Sequence, residues 1–198
     1  MKILLLGPSL IFQNELKNYL IKLGNFVFHT EEDIQIKYIV RNNFEFLISF
    51  GYRRLIKKEI LKHFKNNAIN LHISFLPWNK GADPNLWSFL DATPTGVSIH
   101  IMNEKIDEGD ILCQKYINFY SEETLESTYQ ILNEKIIELF KNNWLSILYN
   151  KIKPIKQNSN GTYHNKSDKI KYNYLLENGW KTKIYSILGK GLENENRK

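Results

Sequence analysis

The sequence predicts an α/β fold in which helices cover both faces of a mostly parallel sheet. Over the first 120 residues, short apolar runs alternate with helical patterns, which is typical of such sheets. The chain has 198 residues, of which 42% are hydrophobic, and its single Cys113 cannot pair within the chain. The first apolar run ends after four residues, whereas a membrane-spanning helix needs about 20. We therefore expect one cytoplasmic domain without a membrane span or a metal site built from cysteine.

The elements follow one another as strand and helix. The first strand, residues 2–6, precedes a helix that ends at Gly24 and has apolar side chains at offsets 0, 3, 4 and 7. These side chains are Leu16, Tyr19, Leu20 and Leu23. Further strands are predicted at residues 25–30, 44–50, 68–74, 96–102 and 111–119. Further helices are predicted at residues 53–64, 86–90 and 121–150. This order is Rossmann-like, although no GxGxxG turn follows the first strand.

The positive charge of the chain lies at its C-terminal end. Residues 1–150 hold 16 basic and 17 acidic side chains, whereas residues 151–198 hold 11 basic and 4 acidic ones. In this basic segment, the run QNSNGTYH (157–164) predicts a β-turn between two short strands, and residues 168–178 predict a helix. We therefore expect a short hairpin-and-helix appendage rather than an independent domain.

Polar side chains suited to proton chemistry follow two predicted strands. Asn70 and His72 alternate with apolar neighbours, so both lie on one side of their strand, at the carboxyl edge of the sheet where α/β proteins bind ligands. Asp107 lies in the link between the next two strands, where Gly109 permits a tight turn. An amide, an imidazole and a carboxylate can together handle a tetrahedral intermediate. On spacing alone, a structural role for His72 is favoured, because a single histidine near the end of a strand is more often structural than catalytic.

A longer pattern of fixed offsets contains these residues. It begins as N-x-H-x-S-x-L-P at Asn70, continues through a loop with Gly81 and a T-G-V-S-x-H run ending at His100, and closes with D-x-G-D from Asp107. This pattern resembles the signature of formyltransferases that use 10-formyltetrahydrofolate. The resemblance is tight over about 45 residues and looser over the rest of the first 150.

The resemblance implies roles for individual residues. Asn70 and a protonated His72 would stabilise the oxyanion, while Asp107 would keep His72 poised and help to move protons. Residues 1–150 would form the catalytic domain, with 10-formyltetrahydrofolate as the donor and no metal. The residues expected to contact the folate are Gly51, Tyr52, Arg54, Ile56, Ile106 and Asp110.

Several acceptors remain compatible with the sequence. The extended loop at 77–89 and the tail at 161–180 are similar to short enzymes that formylate a nucleotide-linked amino sugar, such as a dTDP-sugar, for surface polysaccharide. Aromatic side chains would stack on the base or sugar and cations would meet the diphosphate. The candidates are Trp78, Lys80, Trp87, Tyr163 and His164, although a core role for Trp87 is equally favoured.

Other readings stay open. The basic segment is shorter than the second domain that methionyl-tRNA formyltransferases use to hold tRNA. The turn GPSLIFQN differs from the phosphate-binding turn of glycinamide ribonucleotide enzymes. A formyltetrahydrofolate hydrolase and a nucleic-acid-binding module are the remaining alternatives. A homodimer is compatible with the sugar branch, although the sequence shows no apolar stripe that would form its interface.

Overall fold

A six-stranded sheet is the main element of the computed structural model, which describes residues 1–157 and 161–195. The strands are β1 (Lys2–Leu6), β2 (Phe26–Thr30), β3 (Phe46–Phe50), β4 (Ala68–His72), β5 (Lys80–Gly81), β6 (Gly96–Ile101), β7 (Ile111–Tyr116) and β8 (Tyr163–His164). The helices are α1 (Ile11–Lys22), α2 (Ile36–Asn42), α3 (Lys58–Phe64), α4 (Pro84–Leu90), α5 (Leu125–Leu148) and α6 (Lys190–Glu195). The sheet order is β2-β1-β3-β4-β6-β7; the first four strands are parallel, and β6 and β7 run antiparallel to their neighbours. The predicted fold class is confirmed.

Alternate side chains of the central strands enter two separate cores. On β1, Ile3 and Leu5 pack with side chains of α1 and α5 on one face of the sheet. Leu4 and Leu6 point the other way and pack with side chains of α2 and α3. Helices therefore cover both faces, and the polar edge of the sheet is left for ligands.

The longest helix, α5, has 24 residues and begins at a capping box. The hydroxyl of Thr124 accepts from the backbone N–H of Ser127, and the hydroxyl of Ser127 accepts from the backbone N–H of Thr124. Its apolar stripe, which includes Leu132 and Ile136, is buried against the sheet as predicted. Among the described residues, no helix combines the length and the apolar character that crossing a bilayer requires.

The C-terminal segment packs against α4 through a third apolar core. Three 3-10 helices, Asp168–Leu175, Gly179–Lys181 and Ile184–Ser186, precede α6. The first of them takes the place of the predicted helix at 168–178. The core combines side chains of α4 with others from the C-terminal segment: Leu86, Trp87, Phe89, Leu90, Tyr172, Ile184 and Ile187.

The strands predicted for the C-terminal hairpin pair with other parts of the chain. Ile155 exchanges two backbone hydrogen bonds with Ile111 at the start of β7, and β8 pairs in parallel with β5. The turn expected between them includes residues 158–160, which lie outside the described residues. Both segments satisfy backbone groups of loops that the sheet leaves unpaired, and this gain explains the difference from a local hairpin.

Candidate active site

The three candidate catalytic residues meet at the edge of the sheet. The side-chain amide of Asn70 donates to Oδ1 of Asp107 at 3.0 Å, and Nδ1 of His72 lies 3.7 Å from Oδ2 of the same carboxylate. Asn70 and His72 lie in the C-terminal half of β4, two residues apart, so their side chains share one side of the strand as the period-2 pattern predicts. His72 and Asp107 are 6% and 9% exposed, so the cluster is largely shielded from water.

The link between β6 and β7 folds tightly to bring Asp107 to this position. Asp107 has a left-handed backbone conformation, with φ of 54°. A Cβ atom at Gly109 would collide with the carbonyl oxygen of Ile101, so the link can approach β6 only with glycine at this position. From the C-terminal segment, the amide of Gln157 donates to the carbonyl oxygens of Asp107 and Gly109, each at 2.7 Å.

The carboxylate of Asp107 is held in its ionised form. Burial raises the pKa of Asp107, but the neighbouring His72 and His100 and the N–H of Gly81, which donates at 2.9 Å, outweigh burial. The net effect is a pKa well below the usual range of an aspartic acid. Asp107 is therefore a buried negative charge that can orient an imidazole and stabilise a cationic intermediate.

His100 belongs to the same cluster, although the sequence singled it out only as part of a motif. It lies opposite Asn70 in the antiparallel pairing of β4 and β6, and its Nε2 is 3.3 Å from Oδ1 of Asp107. Its Nδ1 lies 2.9 Å from the carbonyl oxygen of Ile101, and the ring is 2% exposed. The signal that finds it is period 2: Ser98 and His100 alternate with apolar residues on β6, as Asn70 and His72 do on β4.

The expected folate contacts fall on two segments of the chain, and of the six residues Asp110 alone lines the cavity next to α3. Gly51, Tyr52, Arg54 and Ile56 follow β3, whereas Ile106 and Asp110 lie on the link that carries Asp107. A cavity of about 370 Å³ lies between α3 and this link. Its lining includes Asp110 and apolar side chains of Leu61, Ile101 and Met102.

The side chain of Arg54 is engaged elsewhere in this structure. It lies 3.0 Å from Glu32 and 3.6 Å from Asp33, and Tyr52 donates from its hydroxyl to the carbonyl oxygen of Glu32. The guanidinium of Arg54 therefore already has two carboxylate partners within the protein. The backbone after β3, which includes Gly51 with φ of 72°, is the part of this segment that remains available to a folate.

The expected acceptor contacts divide into two groups. Trp87 and His164 form a stacked pair, and Trp78, Lys80 and Tyr163 lie on or beside β5 and β8. Trp87 is 2% exposed and stacks on the ring of His164, with centroids 3.8 Å apart and planes 3° from parallel. Nε2 of His164 lies 2.9 Å from Asp91. This pair joins α4 to the C-terminal segment, so the structure contradicts the acceptor contact expected of Trp87.

Trp78, Lys80 and Tyr163 lie nearer the edge of the cluster. Tyr163 is 47% exposed and Trp78 is half-buried. Lys80 is 8% exposed, and the nearest carboxylate oxygen recorded for its ammonium, on Glu108, is 3.9 Å away. A buried lysine at that distance from a carboxylate is suited to an anionic ligand. Within the ranges that the structure describes, no three His, Cys, Asp or Glu side chains are grouped to hold a metal ion.

A mostly parallel sheet with an amide, imidazoles and a buried carboxylate at its edge is typical of α/β enzymes that transfer a group through a tetrahedral intermediate. A family model described as formyl transferase matches residues 27–142. The chain belongs to the formyl transferase family.

The chain is similar over almost its full length to one solved relative, the formyltransferase PseJ from Anoxybacillus kamchatkensis. The identity is 44%, the match covers 96% of this chain and 100% of that one, and the TM-score is 0.91. That protein was solved in complex with UDP-4,6-dideoxy-4-formamido-L-AltNAc and tetrahydrofolate.

Two curated relatives match over shorter stretches. Bifunctional polymyxin resistance protein ArnA from Wigglesworthia glossinidia brevipalpis is 35% identical over 121 residues, which are 61% of this chain and 18% of ArnA. Methionyl-tRNA formyltransferase from Thermodesulfovibrio yellowstonii is 38% identical over 107 residues, which are 54% of this chain and 33% of that enzyme. The chain thus spans a third or less of these two curated relatives.

Proposed function

We propose that this protein is a cytoplasmic N-formyltransferase that moves the formyl group of 10-formyltetrahydrofolate to the amine of a nucleotide-linked amino sugar. The observation that carries the proposal is the buried cluster in which Asn70 and His72 both face the ionised carboxylate of Asp107. The likeness to PseJ, which holds a formamido sugar nucleotide and tetrahydrofolate, supports the choice of donor and acceptor.

The roles proposed for the cluster follow from its chemistry. When the acceptor amine forms a bond to the formyl carbon, negative charge develops on the formyl oxygen. The amide of Asn70 and the imidazolium of His72 are the donors that stabilise this oxyanion. Asp107 helps to move the proton that the new C–N bond makes acidic, through water, to N10 of the folate as the bond from N10 to the formyl carbon breaks. Transfer thus leaves tetrahydrofolate and a formamide, with no net change in protons.

The cavity between α3 and the link at 103–110 fits the donor. Its apolar side chains, Leu61, Ile101 and Met102, suit the flat faces of a pterin, and the backbone polar groups of Asp110 suit the pterin edge. The proposed folate contacts therefore remain Gly51, Tyr52, Ile56, Ile106 and Asp110, with Arg54 contributing its backbone.

The acceptor side is proposed to be formed by Trp78, Lys80 and Tyr163. Lys80 would meet the diphosphate, because its ammonium is buried and 3.9 Å from the oxygen of Glu108. Trp78 and Tyr163 would pack on the base or the sugar. We favour a UDP-sugar over the dTDP-sugar expected from the sequence, because the relative at 44% identity was solved with a UDP-linked sugar. The product would serve surface polysaccharide synthesis.

A transfer assay tests this proposal. The protein is incubated with 10-formyltetrahydrofolate and, in turn, a UDP-linked 4-amino sugar, a dTDP-linked amino sugar, methionyl-tRNA and glycinamide ribonucleotide, and formylated product is measured by mass spectrometry. We expect transfer to the UDP-linked amino sugar. His72→Ala should abolish transfer, whereas His63→Ala, which removes an exposed imidazole from α3, should not. Transfer only to methionyl-tRNA or to glycinamide ribonucleotide would contradict the proposed acceptor.

A further inference from the structure

We propose that Thr162, in the C-terminal segment, is a positioning residue that fixes the tautomer and the orientation of His72 through the backbone of Asn79. The inference rests on the proposed function, since it assigns Thr162 a role in the same reaction. It rests on two successive hydrogen bonds. The first joins the N–H of Asn79 to the hydroxyl of Thr162, and the second joins the carbonyl oxygen of Asn79 to the imidazole of His72.

The imidazole of His72 is oriented by a backbone carbonyl. Its Nε2 lies 3.0 Å from the carbonyl oxygen of Asn79. A carbonyl oxygen can only accept, so Nε2 carries a hydrogen in the neutral ring as well as in the protonated ring of the proposed reaction, and Nδ1 is the ring nitrogen that faces Asp107. If the carbonyl of Asn79 moved, the other tautomer and a rotated ring would become accessible.

Asn79 needs support to keep this carbonyl in place. The residue is fully buried and has a left-handed backbone conformation, with φ of 56°. Its N–H donates to the hydroxyl oxygen of Thr162 at 2.8 Å, and that hydroxyl donates to the side-chain oxygen of Asn79 at 3.1 Å. Without the hydroxyl, the buried N–H of Asn79 would lose its acceptor, which favours rotation of the peptide between residues 78 and 79 and a change in the backbone angles of Asn79, to which the carbonyl is attached.

The backbone around Thr162 packs closely against the loop at 77–81, which carries Asn79. A Cβ atom at Gly161 would collide with the carbonyl oxygen of Pro77, and one at Gly81 would collide with that of His164. The N–H of Lys80 donates to the carbonyl oxygen of Thr162 at 3.0 Å, and this bond does not depend on the side chain at 162. A substitution at Thr162 can therefore remove the two hydroxyl bonds while β5 and β8 remain paired.

The test compares Thr162→Val, which keeps the shape of the side chain, with Thr162→Ser, which keeps the hydroxyl. In ¹⁵N-histidine-labelled protein without substrates, at a pH at which the ring is neutral, we expect the His72 ring to be the Nε2–H tautomer in the natural chain and in Thr162→Ser, and a mixture of tautomers in Thr162→Val. His72→Gln identifies the resonance. In the transfer assay, Thr162→Val should lower kcat about tenfold or more, with KM for both substrates within about twofold of the natural chain.

A matched control is Thr128→Val in α5, where a buried threonine hydroxyl donates to the carbonyl oxygens of Thr124 and Leu125 far from the cluster. It should leave both the His72 spectrum and kcat unchanged. Should Thr162→Val not fold, Thr162→Ala takes its place with the same expected tautomer mixture.

Two results would overturn the proposal: a single Nε2–H tautomer in the variant that lacks the hydroxyl, or an equal loss of kcat in Thr162→Ser and Thr162→Val. Failure of the proposed function is distinguishable, because the spectrum requires no substrate. If the spectra showed the expected tautomers but no acceptor was formylated, the proposed function would be contradicted, whereas the effect of Thr162 on the His72 ring would be supported.

Discussion

Gln157 holds Asp107 across 50 residues of sequence, through a 2.7 Å hydrogen bond from its side-chain amide to the backbone carbonyl oxygen of Asp107. The same amide binds the carbonyl oxygen of Gly109, so it spans the turn that carries the buried carboxylate. Further along the same segment, Thr162 and β8 hold the loop that carries Asn79 and Lys80. The basic C-terminal segment thus supports both loops of the cluster, which its charge alone does not predict.

Replacing Gln157 by alanine should weaken both the fold and the proposed reaction. Two carbonyl oxygens would lose a donor, which we expect to cost about 1–3 kcal/mol of unfolding free energy, and the left-handed turn at Asp107 would gain freedom. Urea denaturation and kcat in the transfer assay measure the two effects. Asn143→Ala, which removes a side-chain amide bonded to the carbonyl oxygen of Leu139 on α5, is the control and should leave kcat unchanged. An unaltered kcat in Gln157→Ala would contradict a role for Gln157 in holding Asp107.

His100 should influence the reaction through Asp107. The hydrogen bond and the charge of His100 lower the pKa of Asp107, so His100→Leu should raise that pKa. The acid limb of the pH dependence of kcat/KM is then expected to move to higher pH, with a lower kcat at the plateau. A series of rate measurements from acid to neutral pH checks this, with His63→Ala as the control. An acid limb at the same pH in His100→Leu would argue that His100 only fills space.

The depressed pKa of Asp107 also predicts how stability depends on pH. A carboxyl group whose pKa is lower in the folded chain than in the unfolded chain stabilises the fold above its unfolded value, about 4. That contribution is lost as the pH falls from there toward the folded pKa. The natural chain should therefore be more stable than Asp107→Asn at pH 7, and the difference should narrow below about pH 4. Denaturant titrations at several pH values measure it. Asp33→Asn, which removes an exposed carboxylate, should not reproduce the narrowing.

Much of the sheet was predictable because its signals are local. The strand predicted at 2–6 follows from its apolar run, and the helix that ends at Gly24 and the long helix predicted at 121–150 follow from apolar periodicity. All three are confirmed, the last as Leu125–Leu148. Helix α2, at Ile36–Asn42, was not predicted: it has seven residues and no side-chain cap, and one buried residue, Ile39, too few for a helical pattern.

The site was predictable only in part for a related reason. Asn70 and His72 share a strand, so their period fixes their common direction. The contacts that Asp107 makes depend on residues far away in sequence, including Gly81 and Gln157, and on a left-handed turn. No pattern in a single sequence reports that two carbonyl oxygens of this turn meet an amide 50 residues further on.

The two tryptophans of the loop and α4 should respond in opposite ways to substitution. Trp87 is buried between His164 and Tyr172, with which it makes a stacked and an edge contact. Trp87→Phe should therefore reduce the unfolding free energy by about 1–3 kcal/mol and leave KM for the nucleotide sugar within about twofold.

Trp78 is half-buried beside the cluster, and Trp78→Phe should raise that KM while changing stability by less than about 0.5 kcal/mol. Thermal unfolding and steady-state kinetics are measured on both variants. Each variant removes one indole, so each serves as the control for the other. A raised KM in Trp87→Phe with unchanged stability would mean that its indole contacts the acceptor. If KM rose in Trp87→Phe and stayed unchanged in Trp78→Phe, the acceptor site would lie at α4 and not at the loop at 77–82, because the nucleotide sugar would then contact the indole of Trp87.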